Sequence, residues 1–228
     1  MLVKVQSDDP TRRARGLTAL AAAYWRPIYT YLRIHWGRGH EEACDLTQDV
    51  FASLVERDLV KRFDASRARF RTYLRVCVDG LVANTAKAAM RQKRGGDTLV
   101  LSFDFEEVRD ELERCLPVAE SPETLFEREW ARSVFGTSVA RLRERLTTAG
   151  KGGHWTLLER YDLDAGAERP SYAALARELG IAVTDVTNRL AFARRELRQT
   201  VLEVVRELTA SEDEFRQEVR VLLGVDLR

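Results

Sequence analysis

The chain carries 37 Lys and Arg against 36 Asp and Glu in 228 residues, with 45% hydrophobic and 32% charged residues. That length suits one large or two small domains, and the ordinary apolar content argues against wholesale disorder. No stretch approaches the roughly 18 apolar residues of a membrane span, the start MLVKVQSDDPTRRARG lacks the apolar run of a secretory signal, and three scattered cysteines (Cys44, Cys77, Cys115) make a disulfide framework improbable, so a cytoplasmic protein is expected.

The formal net charge of +1 conceals an uneven distribution. Residues 1–96 hold 18 basic and 10 acidic side chains, residues 97–125 hold 2 and 9, and the remainder is balanced at 17 of each. The whole excess of the first block lies in residues 57–94. A basic segment beside an acidic one suggests a polyanion-binding module next to a solvated linker, against the plainer alternative of a soluble helix face.

Helical periodicity dominates the chain from its start. Residues 17–34 repeat apolar positions at three and four, with Pro27 expected to kink the helix or to begin its second half. Residues 41–57 set Ala43, Leu46, Val50, Phe51 and Leu54 on one face, and leave Asp45, Gln48, Asp49 and Glu56 largely outside it. Residues 70–94 read as one helix closed by Gly95-Gly96. The only strand candidate is the short run LVLSF at 99–103. Gly, Pro, Ser and acidic residues then mark a boundary up to Pro122.

A second helical block begins with Ser121 as a cap and Pro122 in the first turn, runs to 146, and is followed by a loop at 147–153 and a short helix at 154–163. The most complete local motif spans 171–198. Ser171 caps a helix from Tyr172 to Leu179, Gly180 supplies a turn, Ile181 packs at the hinge, and a second helix starts at Val183 or Thr184. Val186 and Leu190 should face the first helix, with Ala174 small at the crossing. Thr184, Asp185, Thr187, Asn188 and Ala191 are then left outward, where a helix-turn-helix reads base edges in the major groove. Arg189, Arg194, Arg195 and Arg198 can reach phosphates. An amphipathic segment at 212–225 either docks a regulator or caps the second domain, the latter being preferred.

Two separated blocks, about 20–96 and 124–205, together resemble the extracytoplasmic-function group of sigma factors, within the sigma-70 superfamily. DLTQDVF (45–51) and RFRTYL (69–74) resemble that family's region 2 signatures, and SYAALARELGIAVTDVTNRLAFARRELR resembles its region 4 helix-turn-helix. The resemblance implies an all-α fold of two small helical domains joined by an acidic flexible linker: a region 2-like bundle at 1–96, the linker at 97–123, a region 4-like domain at 124–209 and a terminal amphipathic helix at 210–228. It implies a non-enzymatic factor that binds core RNA polymerase and directs promoter-specific initiation. Asp45, Gln48 and Asp49 would dock on the clamp coiled coil of the largest subunit, and the flap would be a further polymerase contact.

Arg67, Arg69, Arg71, Tyr73, Arg75, Asn84, Lys87, Arg91, Lys93 and Arg94 would hold the melted −10 element. Phe70 is a candidate for either stacking or the core, with the core preferred. Thr184, Asp185, Thr187, Asn188, Arg189, Ala191, Arg194 and Arg195 would read −35. Promoter DNA and an anti-sigma or other regulatory protein are the implied partners, with neither a membrane nor a small-molecule substrate. Asp79-Gly80 stand where the family usually carries Arg-Asn, and Thr187 where Lys or Arg is common.

The competing readings are a stand-alone helix-turn-helix regulator and a metal nuclease built on Glu41, Glu42, Asp45 and Asp49. Those carboxylates spread around one helix, which disfavours a shared octahedral site. His35, His40 and Cys44 offer metal-like spacing without a fourth ligand, so no cofactor is expected.

Overall fold

The computed structural model describes residues 9–56, 59–88, 103–114, 120–164 and 169–224. Among them there is helix and no strand; of the strand candidate only Phe103 is described, and it lies outside regular structure. The helices are α1 (Pro10–Ile34), α2 (His40–Glu56), α3 (Phe70–Ala88), α4 (Phe105–Arg114), α5 (Pro122–Thr148), α6 (Gly152–Leu158), α7 (Tyr172–Leu179), α8 (Val183–Leu208) and α9 (Glu212–Leu223). None is long and apolar enough to cross a membrane.

Two compact units divide the chain. Unit 1 comprises the chain up to Ser133 together with everything from Val205 onward, and unit 2 is Val134–Val204. The division therefore falls inside α5 and α8, whereas the sequence suggested a boundary at the acidic segment.

In unit 1 the core is built from amphipathic faces. Leu20, Tyr24, Ile28 and Leu32 repeat along α1, and Ala43, Leu46, Val50 and Leu54 do so along α2, every one of them buried. Pro27 is accommodated without ending α1, which runs through it to Ile34. Phe70, Leu74, Val78 and Val82 form the buried stripe of α3. The Phe70 ring meets Tyr24 edge-on at 5.6 Å and Phe63 at 5.1 Å, so its place is in the core.

The acidic segment is not an open linker where it is described. Phe103 stacks on Trp25 at 5.4 Å, Phe105 lies 5.2 Å from Tyr29, and Val108 is buried. These apolar side chains anchor α4, while its acidic residues Glu106, Glu107 and Asp110 stay exposed.

The terminal helix also departs from expectation, because α9 belongs to unit 1 and not to the helix-turn-helix unit. Ser211 caps it by accepting from the Glu214 amide at 3.1 Å, and Phe215 and Val219 are buried.

Unit 2 holds two apolar clusters. Leu142, Leu146, Trp155, Leu158 and Ala193 form one, and Leu157, Leu175, Ala176, Val186 and Leu190 form the other. Helix α6 passes into a single π turn at Glu159–Leu163 and ends there.

Candidate nucleic-acid interface and docking faces

The helix-turn-helix of unit 2 follows from local chemistry. Ser171 adopts extended backbone and its Oγ accepts from the Ala174 amide at 3.1 Å, which satisfies one of the free N–H groups at the start of α7. Gly180 closes α7 at φ 63°, a left-handed conformation that glycine takes without a Cβ penalty. The Ile181 amide then returns to the Ala176 carbonyl at 3.0 Å, and Ile181 packs against the second cluster. Val186 and Leu190 face α7 as expected, but the small buried residue at the crossing is Ala176, while Ala174 is exposed.

With that face buried, Thr184, Asp185, Thr187, Asn188, Ala191 and Arg195 are exposed on α8, and Arg189 is half-buried at the edge. Thr187 Oγ1 donates to the Val183 carbonyl at 3.2 Å, so its hydroxyl proton is turned back on its own helix. Arg194 differs from its neighbours. It forms a two-pronged bond with Asp162 at 2.8 and 2.9 Å, which raises its pKa further. Arg195 lies over the Phe192 ring at 5.3 Å.

In unit 1, α2 presents Asp45 and Asp49 to solvent, with Gln48 half-buried between them. The Asp49 carboxyl is pushed up by partial desolvation, then by the nearby charges of Asp45 and Glu56. A raised carboxylate among like charges marks a face whose electrostatics improve when a cation arrives. His40 is occupied structurally. It sits 2.8 Å from the Tyr29 hydroxyl and 3.2 Å from Glu106, whereas His35 stacks on Tyr31.

Among the described residues, the basic side chains in and just before α3 do not form one open surface. Arg71 is only 4% exposed; it pairs with Glu127 and Glu218, each at 3.2 Å, and its guanidinium lies 5.0 Å from the Trp130 ring centre. Arg69 approaches Glu218 at 3.9 Å, and Arg75 pairs with Glu123 at 2.7 Å and Asp79 at 3.6 Å. The Tyr73 hydroxyl donates to the Leu59 carbonyl at 2.8 Å. Arg67 is exposed beside Asp64, and Asn84 is exposed. The side chain of Lys87, and the whole of Arg91, Lys93 and Arg94, lie outside the described residues. Asp79 accepts from the Tyr31 hydroxyl at 3.0 Å and from Trp36 Nε1 at 3.1 Å, which accounts for a carboxylate at this position on structural grounds.

Sequence reasoning missed the acidic partners of α3. Glu214 lies buried, and its two oxygens accept from the amides of Phe70 at 2.6 Å and Ala210 at 2.8 Å. Glu218 is buried beside Arg71 and its carboxyl is pushed up to about 7. Burial is the largest cause; Arg71 and Arg69 oppose it, and Glu214 and Glu127 reinforce it. No spacing in the α9 segment distinguishes these two glutamates from solvated ones. Compared with known proteins, the chain matches no family model, no curated protein and no solved structure.

Proposed function

We propose that the chain is a transcription-initiation factor of the extracytoplasmic-function sigma type, which binds core RNA polymerase and directs it to promoters. The observation that carries this reading is the capped helix-turn-helix at 171–195, whose second helix keeps a contiguous polar face in solvent. Thr184, Asp185, Asn188 and Ala191 would meet base edges of the −35 element, and Arg189 and Arg195 the flanking phosphates. The exposed carboxylates Asp45 and Asp49 support a docking role for α2 against a basic polymerase surface. In the −10 region the ion pairs of Arg71 and Arg75 narrow the DNA-facing set toward Arg67, Asn84 and the basic run beyond α3. Such a factor works in the cytoplasm and catalyses no reaction itself, and an anti-sigma protein would regulate it by covering these faces.

The test is retention of bacterial core polymerase by the tagged full chain. Wild type should retain it, and Asp45→Arg/Asp49→Arg should not. A folded wild-type chain that retains no polymerase overturns the reading. The engaged arginines of α3 favour one second reading, a helix-turn-helix regulator that binds DNA without polymerase. It predicts affinity for a specific duplex that core polymerase does not change, and indifference to the Asp45 and Asp49 changes.

A further inference from the structure

Three cationic or protonatable side chains converge in unit 2 beside the polar face of α8. Helix α5 ends with Gly150 at φ 69°, and the Lys151 amide returns to the Leu146 carbonyl at 2.8 Å, which fixes where Lys151 emerges. Lys151 Nζ then lies 4.1 Å from the centre of the Phe192 ring. The His154 ring meets the same ring at 5.2 Å. Arg189, one turn earlier on α8, reaches the backbone at Gly153 so closely that a Cβ there would stand 3.1 Å from its Nη1. The His154 imidazole has its pKa lowered, first by burial and then by Arg189 and Lys151. Among the described residues no carboxylate pairs with Lys151, His154 or Arg189, in contrast to Arg194, which is held by Asp162. With no carboxylate among the described residues in ion-pair range of either, Lys151 and Arg189 offer a setting for an external anion.

Its position says which anion. On a helix that turns about 100° per residue, Phe192 borders the stripe of Thr184, Asn188, Ala191 and Arg195, and Asp185 and Arg189 lie about 20° and 60° further round toward the buried face. A helix lying in the major groove has the sugar-phosphate backbone along its flank. Resting on the reading of α8 as the helix that enters DNA, we propose that Lys151, His154 and Arg189 form a clamp for one backbone phosphate. The loop before α6 thereby becomes part of the DNA-binding surface. The clamp fixes register and carries no base preference. Gly153 serves it by leaving space for the Arg189 guanidinium.

The test is fluorescence anisotropy of the full chain with a labelled mixed-sequence 30-base-pair duplex, repeated over a series of KCl concentrations. Neutralising one phosphate contributes about 0.9 to the slope of log affinity against log salt. Lys151→Gln/Arg189→Gln should lower that slope by about 0.9 relative to wild type, with the melting temperature retained. Asn188→Glu, which places a negative charge on the exposed face, reports on the α8 reading itself and should abolish binding. If Asn188→Glu abolishes binding but the double variant keeps the wild-type slope, the clamp alone is overturned. If wild type fails to bind, or Asn188→Glu binds as wild type does, the DNA reading of α8 falls and the clamp falls with it.

Discussion

The arginines of α3 in unit 1 meet carboxylates brought from distant stretches of chain, whereas Arg189 and Arg195 of α8 in unit 2 meet aromatic rings and backbone. Arg71 is enclosed by Glu127, Glu218 and Trp130, although all three lie more than 50 residues away in sequence. Arg195 rests on Phe192 of its own helix. Read along the chain, both segments simply offer several arginines. Their difference shows that charge spacing locates cations but does not tell whether they are available; that depends on which acidic residues the fold returns to them.

The sharpest break of this comparison removes the buried cation. Arg71→Ala leaves Glu218, only 2% exposed, without its nearest counter-charge, and breaking a buried pair in this way costs about 3–5 kcal/mol. Urea denaturation should show a clear drop in midpoint, while the equivalent change Arg195→Ala should leave the unfolding free energy within about 0.5 kcal/mol of wild type. Equal losses at the two positions would erase the distinction between the units.

The next effect is read in pH. Glu218 has its carboxyl raised in the folded state from an ordinary value near 4.5 to about 7, so the folded chain holds a proton there that the unfolded chain has released. The stability this proton confers is fully present below about 4.5 and is lost as pH rises toward about 7. Glu218→Gln should flatten the stability profile across that window. An unchanged profile would mean that the carboxylate ionises freely in the fold.

Smaller still are the local signals of unit 2. Ser171→Ala removes the α7 cap and should cost about 1 kcal/mol. Gly180→Ala forces a Cβ into left-handed backbone and should cost about 1–2 kcal/mol. Both are measurable as lowered melting temperatures. The smallest structural effect belongs to Asn188→Ala, which should leave stability untouched and weaken discrimination for its base pair by about 1–3 kcal/mol in competition binding with single-base variants of a selected duplex.

These magnitudes also track what could be read from the chain. The helix-turn-helix was legible because its determinants are adjacent: a Ser cap, Gly180 directly after Leu179, and Val186 and Leu190 at helical spacing. The buried faces of α1 and α2 were legible for the same reason. The packing of α9 in unit 1 was not, since Glu214 and Glu218 occupy positions on an acidic amphipathic helix that a solvated face would fill equally well. Helix α4 was hidden by composition. Its carboxylates suggested an open linker, whereas Phe103, Phe105 and Val108 outweigh them by burying apolar surface against Trp25 and Tyr29. Ala174 and Ala176 show the limit within a motif, where the sequence offers two small residues and only packing selects the second.

The most direct measurement of the central claim is transcription in vitro by core RNA polymerase on genomic DNA from the encoding organism, with the 5′ ends of the products sequenced. The account predicts a set of start sites that appear only when this chain is added and vanish with either Asp45→Arg/Asp49→Arg or Asn188→Glu. Start sites unaltered by the chain, under conditions where the chain alone binds a specific duplex, would contradict it.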